Sequence, residues 1–220
     1  MMISFDTVYC GIKEKHFCER KDYCAMGKTF VIGIAGATQS GKSTFAKKLE
    51  ESLHGVILKT FHIDDYHKPK AKQPIAKAPI TQIEYTDFNS LVSFDLPHLR
   101  RDIKAALDEE NFSVIIIEGT MILYDEEILN LLDLKLFVDS RADERAIRYI
   151  ELYSQYHDPD FIKNSYLDLV RYRMDEYIEP TKWRADIIIN GSMESDRAVE
   201  VVKTYIANVL TGTQNATHEV

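Results

Sequence analysis

The run Gly36-Ala37-Thr38-Gln39-Ser40-Gly41-Lys42-Ser43, followed by Thr44, has the spacing G-x-x-x-x-G-K-[ST]. That spacing suits polyphosphate binding. Glycines let the main chain wrap closely enough for successive N–H groups to converge on an anion. A helix that begins at the lysine adds its positive end. Lys42 can reach the outer phosphates, and the Ser43 hydroxyl can ligate magnesium. Gly36 to Thr44 is therefore the expected nucleotide-binding stretch, and Lys42 also acts on the transferred phosphate.

Two acidic positions could complete a transfer site. Glu118 closes the aliphatic run Val114-Ile115-Ile116-Ile117, a place from which a carboxylate can organise magnesium directly or through water. The alternative is a solvated acid at a strand end. Asp64-Asp65 follows a second apolar run. An acid there could accept the proton of an attacking hydroxyl, or it could simply make a polar turn.

These residues need elements to position them. Thr29–Ala35, Val56–Ile63, Phe112–Ile117, Leu134–Asp139 and Ala185–Asn190 are short, aliphatic, β-branched runs that read as buried strands. Helical patterns fill the intervals. Phe45, Leu49 and Leu53 recur every four, as do Ile162, Tyr166, Val170, Met174 and Ile178. Leu99, Ile103, Ala106 and Leu107 form another stripe, 142–153 is helical in pattern, and Val201, Val202, Tyr205, Ile206 and Val209 are expected to line the inner face of a last helix. Pro69, Pro74 and Pro79 predict an irregular connection over 68–86, a candidate for closure over substrate. Alternating strands and helices predict an α/β domain, the P-loop NTPase fold, with a five-stranded mostly parallel sheet and helices on both faces. Ligands bind beyond the carboxyl ends of such strands, where the loop and both acids fall. The P-loop domain is expected over 28–212, with an N-terminal extension at 1–27 and a tail at 213–220.

The 220 residues carry a formal net charge of −8, and the pI is about 5.4. A basic nucleic-acid footprint is excluded on that balance. No apolar run reaches the ~20 residues of a membrane span, so no membrane partner is expected and the cytoplasm is the expected compartment. Cys10, Cys18 and Cys24 all precede the first strand, with His16 between them. Their spacing matches none of the usual zinc pairs. The guanine-reading N/T-K-x-D run is absent, which disfavours a GTPase switch.

From about Lys28 to Leu210 the chain resembles the uridine kinase and phosphoribulokinase-like family. The likeness rests on Ile34–Thr44, on Asp64-Asp65-Tyr66-His67-Lys68-Pro69, on Ile116-Ile117-Glu118-Gly119, and on Pro180-Thr181-Lys182 with Ala185–Ile189. The resemblance implies ATP and Mg2+ as cofactors and a small-molecule hydroxyl as acceptor, uridine- or cytidine-like. It implies Asp64 as base, Tyr66, Lys68, Asp87 and Phe88 at the acceptor, and Arg145 and Arg148 as lid arginines over the phosphates. It also leaves room for a homo-oligomer. Three features depart from the pattern. No hairpin insertion precedes the Glu118 strand, the lid run R-G-R-D reads Gln155-Tyr156-His157-Asp158, and Asn89 replaces a ribose-side aspartate. These departures keep open a nicotinamide riboside, pantothenate or sugar kinase, and an ATP-binding regulator without transfer.

Overall fold

The computed structural model describes residues 28–215. The expectations for the N-terminal cysteines and extension lie outside the described residues. Five parallel strands form the sheet. In chain order the strands are β1 (Phe30–Ala35), β2 (Leu58–His62), β3 (Ile75–Lys77), β4 (Glu84–Thr86), β5 (Val114–Glu118), β6 (Leu134–Asp139) and β7 (Ile187–Asn190). The main sheet has the order β2-β5-β1-β6-β7, and every pairing within it is parallel. The helices are α1 (Lys42–Ser52), α2 (Leu96–Asp108), α3 (Glu126–Leu129), α4 (Ala142–Tyr153), α5 (Pro159–Ser165), α6 (Arg171–Arg173) and α7 (Asp196–Asn215). α7 runs past the expected boundary at 212.

Alternation along β1 shows why both sheet faces need helices. Val31 and Ala35 enter one apolar layer with Leu99 and Ile103 of α2. Phe30, Ile32 and Ile34 enter the other with Phe45 and Leu49 of α1 and Val202 and Ile206 of α7. All six residues of β1 are buried, which a strand tolerates only when covered on two sides. On α7 the inner face differs from expectation. Val199, Val202 and Ile206 are buried, whereas Val201 and Tyr205 are exposed. Positions 199, 202 and 206 follow the i, i+3, i+7 rhythm of one helix face, and 201 and 205 sit off it.

The stripe Ile162-Tyr166-Val170-Met174-Ile178 is buried throughout. At 3.6 residues per turn, steps of four overshoot by roughly 40° each, so a plain α-helix would rotate the stripe off its face. The chain instead inserts π-helical turns at Tyr166–Val170 and Met174–Ile178, on either side of α6. Their i→i+5 bonds hold more residues per turn and keep the stripe in register.

The connection 68–86 is a correction. Its prolines bound short elements instead of preventing them, and β3 and β4 pair antiparallel, Ile75 opposite Thr86. Asp108 and Val114, by contrast, are joined by the expected brief link with no hairpin.

Candidate active site

The phosphate loop spans the gap between β1 and α1. Gly41 caps α1 with φ 94, a left-handed conformation that strains any side chain with a Cβ. Gln39 is also left-handed, at φ 60. The Thr38 N–H donates to Met174 Sδ at 3.4 Å, a weak acceptor that a phosphate oxygen can replace. The turn after β7 presses on the loop from outside: a Cβ on Gly191 would stand 2.0 Å from the Ser40 carbonyl oxygen.

Beside the loop, Glu118 is a node. It is 3% exposed. The Ser43 hydroxyl donates to Oε1 at 3.0 Å, His62 Nδ1 lies 3.0 Å from Oε2, and Lys42 Nζ stands 3.8 Å from Oε1. Burial alone would lower the His62 pKa, but the hydrogen bond and charge of Glu118, with Asp65 and Glu50, outweigh it and raise the value. Ser43 and Glu118 thus offer adjacent hard oxygens. Among the described residues no cluster of three or more His, Cys, Asp or Glu could hold a metal unaided. That donor set fits magnesium, which takes one or two carboxylates and completes its shell with phosphates and water.

A cavity of about 530 Å³ opens on the same side, with Thr38 and Lys42 at one end and Asp64 on its wall. Phe88, Phe94, Tyr149, Tyr153, His157 and Phe161 contribute rings to its lining. The volume matches pockets for small organic ligands. Burial first, then the charge of Asp64, raises the Tyr153 pKa. A second cavity, about 630 Å³, lies beyond the ends of β6 and β7, lined by Asp139, Ser140, Arg141, Arg145 and Asn190. Gly191, next to Asn190 of that lining, packs against the phosphate loop at Ser40.

Relatives fix what such a site belongs to. The model of the family described as Phosphoribulokinase / Uridine kinase matches residues 97–198. A uridine kinase from Lactobacillus helveticus is 30% identical over 83% of this chain and 96% of its own length. One from Brevibacillus brevis is 30% identical over 88% and 100%. The chain belongs to the phosphoribulokinase/uridine kinase family. A solved phosphoribulokinase from Rhodobacter spheroides, 15% identical, shares the fold at a TM-score of 0.55 over 74% of this chain and 70% of its own. Family membership makes the protein an ATP-dependent kinase with a hydroxyl acceptor.

Within this kinase, Lys42, Ser43 and Glu118 converge, and Asp64, Phe88 and Lys42 line one cavity. Four other expected positions engage groups of the protein itself. The Tyr66 hydroxyl turns away and donates to Asp102 Oδ2 at 2.8 Å. Lys68 Nζ donates to the Val92 carbonyl, and Lys70 lines the cavity instead. Asp87 is 1% exposed, accepting from the Asn89 N–H and pairing with Arg173 at 2.8 Å, so it anchors the segment and Asn89 faces the cavity. Arg145, 4% exposed, donates to the Ser140 carbonyl and pairs with Glu179 at 2.8 Å; its charge is already matched by the protein. Arg148 reaches the loop itself, donating to the carbonyls of Gln39 at 3.2 Å and Gly191 at 3.3 Å.

Sequence reasoning missed His67, Tyr85, Tyr149, Tyr153, His157 and Phe161 as cavity residues. Tyr149 and Tyr153 carried a signal, two phenols one turn apart on a helix just downstream of the expected lid arginines. His157 and Asp158 sit in the turn where the lid run was sought, and the Asp158 carboxylate caps α5 by accepting from the Phe161 N–H at 2.8 Å.

Proposed function

We propose that this kinase moves the γ-phosphoryl group of ATP, with magnesium, to a hydroxyl of a nucleoside of the uridine or cytidine type. The observation that carries this reading is the shared cavity: Asp64 faces the same space as Lys42, and aromatic rings enclose it. Rings of that kind stack on a planar base. The relatives' names as uridine kinases support the acceptor class.

Lys42 and the loop amides hold the outer phosphates, and the adenosine end extends toward the second cavity, past Gly191. Ser43 and Glu118 are the residues that would hold magnesium, which supplies charge neutralisation between phosphates when bound. Asp64 takes the proton as the acceptor oxygen bonds to the γ-phosphorus and the bond to the β-phosphate oxygen breaks, releasing ADP. Arg148, poised on the Gln39 carbonyl, supplies lid charge. Most of the rate comes from positioning and charge stabilisation.

The test is ADP release from ATP and magnesium against uridine, cytidine, nicotinamide riboside, pantothenate and pentoses. Turnover on uridine or cytidine, lost in Lys42→Ala, is expected. Turnover confined to another acceptor would replace the nucleoside assignment, and ATP binding without product on any would favour the regulatory alternative.

A further inference from the structure

The chain between β2 and the hairpin makes a 3₁₀ turn over Ile63–Tyr66. Residues three apart eclipse on such a turn, and the His67 N–H closes it on the Asp64 carbonyl at 3.4 Å. Asp64 and His67 therefore face the same cavity. His67 Nε2 stands 3.9 Å from Asp64 Oδ1. The imidazole is held firmly: it stacks on Phe94 with centroids 4.2 Å apart and planes at 29°, and meets Phe88 edge-on at 6.1 Å. The Asp64 side chain, by contrast, is 64% exposed. A carboxylate that open samples several rotamers, and only some aim an oxygen at an acceptor hydroxyl.

The ring's tautomer decides the chemistry. His67 Nδ1 is buried and has no hydrogen-bond partner. A neutral imidazole carries one proton, on either nitrogen. With the proton on Nδ1, a buried donor would go unsatisfied and the Nε2 lone pair would face a carboxylate. With the proton on Nε2, a donor faces the carboxylate instead. Nδ1 goes unpaired in either form, so the carboxylate decides, and it favours the second.

We infer that His67 is a positioning residue for the transfer: its Nε2–H holds the Asp64 carboxylate in the rotamer from which that group takes the acceptor's proton. A rotation of the exposed Asp64 side chain closes the 3.9 Å gap to a hydrogen bond. The His67 proton does not transfer. The proton leaving the acceptor oxygen goes to Asp64 as the new oxygen–phosphorus bond forms and ADP departs. The role rests on the kinase reading above.

Two measurements test it. Nitrogen-15 NMR of the imidazole of the full chain at pH 8 should show the Nε2–H tautomer, and Asp64→Asn should shift that resonance. A predominant Nδ1–H tautomer, or a signal indifferent to Asp64→Asn, would overturn the inference without any acceptor being needed. In kinetics with ATP, magnesium and uridine, His67→Phe keeps the stack on Phe94 and should lower kcat about tenfold or more while leaving KM for ATP unchanged. His67→Gln, which retains a donor, should recover part of the loss. Wild-type kcat in His67→Phe, with wild-type protein turning over, would sink the inference; no turnover by wild-type protein counts against the kinase reading instead, and the NMR result still decides His67.

Discussion

Asp64 and Glu118 are both carboxylates near the phosphate loop, and their surroundings give them different work. Glu118 is held by Ser43, His62 and Lys42 and is nearly sealed from solvent. Asp64 stands open to the cavity with little to hold it. An acid that must accept a proton from a visiting molecule needs that openness. Asp64→Asn is expected to lower turnover by about 10²-fold or more, with ATP affinity within twofold of wild type, measured by titration calorimetry beside a steady-state assay. Normal turnover in the variant would remove Asp64 as the base. At this scale the sequence showed motif positions more clearly than side-chain directions. Asp64 and Glu118 were legible because strand ends mark them. Tyr66 and His67 were not, because the 3₁₀ turn after β2 sends Tyr66 to Asp102 and His67 inward, directions that residue types alone do not state. Asp87 was misjudged for a tertiary reason, since its partner Arg173 lies 86 residues away.

The long helical stretch from α5 to Ile178 shows sequence rhythm setting helix type. Steps of four named the buried residues correctly, and the same steps forced the π turns that periodicity alone did not announce. From this stretch Arg173 reaches Asp87 and ties the cavity-lining segment beside β4 to the helix. Removing one partner of a buried pair leaves the other charge stranded. Asp87→Ala should therefore lower stability by about 3 kcal/mol, at the lower end of such losses because Arg173 is 21% exposed. In a domain of this size that corresponds to a melting point reduced by roughly 6–12 °C, followed by far-UV circular dichroism. A melting point unchanged within a degree would show that the pair contributes nothing net. The hairpin β3–β4 escaped the sequence because three-residue strands beside prolines carry almost no periodic signal, and only their mutual pairing defines them.

At the scale of the molecule, strand order makes the site. β1 is central, and the chain ends of β1, β2, β5, β6 and β7 all deliver polar groups to one edge: the phosphate loop, the Asp64 turn, Glu118, Asp139 and Asn190. Fold class and the five strands of the main sheet were legible because five aliphatic runs alternate with helices. The order β2-β5-β1-β6-β7 was not, because neighbours in a parallel sheet are chosen by crossover packing far along the chain. One surface residue has a practical consequence. Trp183, the single tryptophan of the chain, is 80% exposed in the 3₁₀ turn Glu179–Arg184 that also holds Pro180-Thr181-Lys182. Its indole already meets water in the native state, so denaturation should move its emission maximum very little while circular dichroism records a full transition. A spectroscopist relying on that fluorophore would see an almost silent unfolding, and any blue shift on adding a ligand would mean instead that something had come to cover the turn.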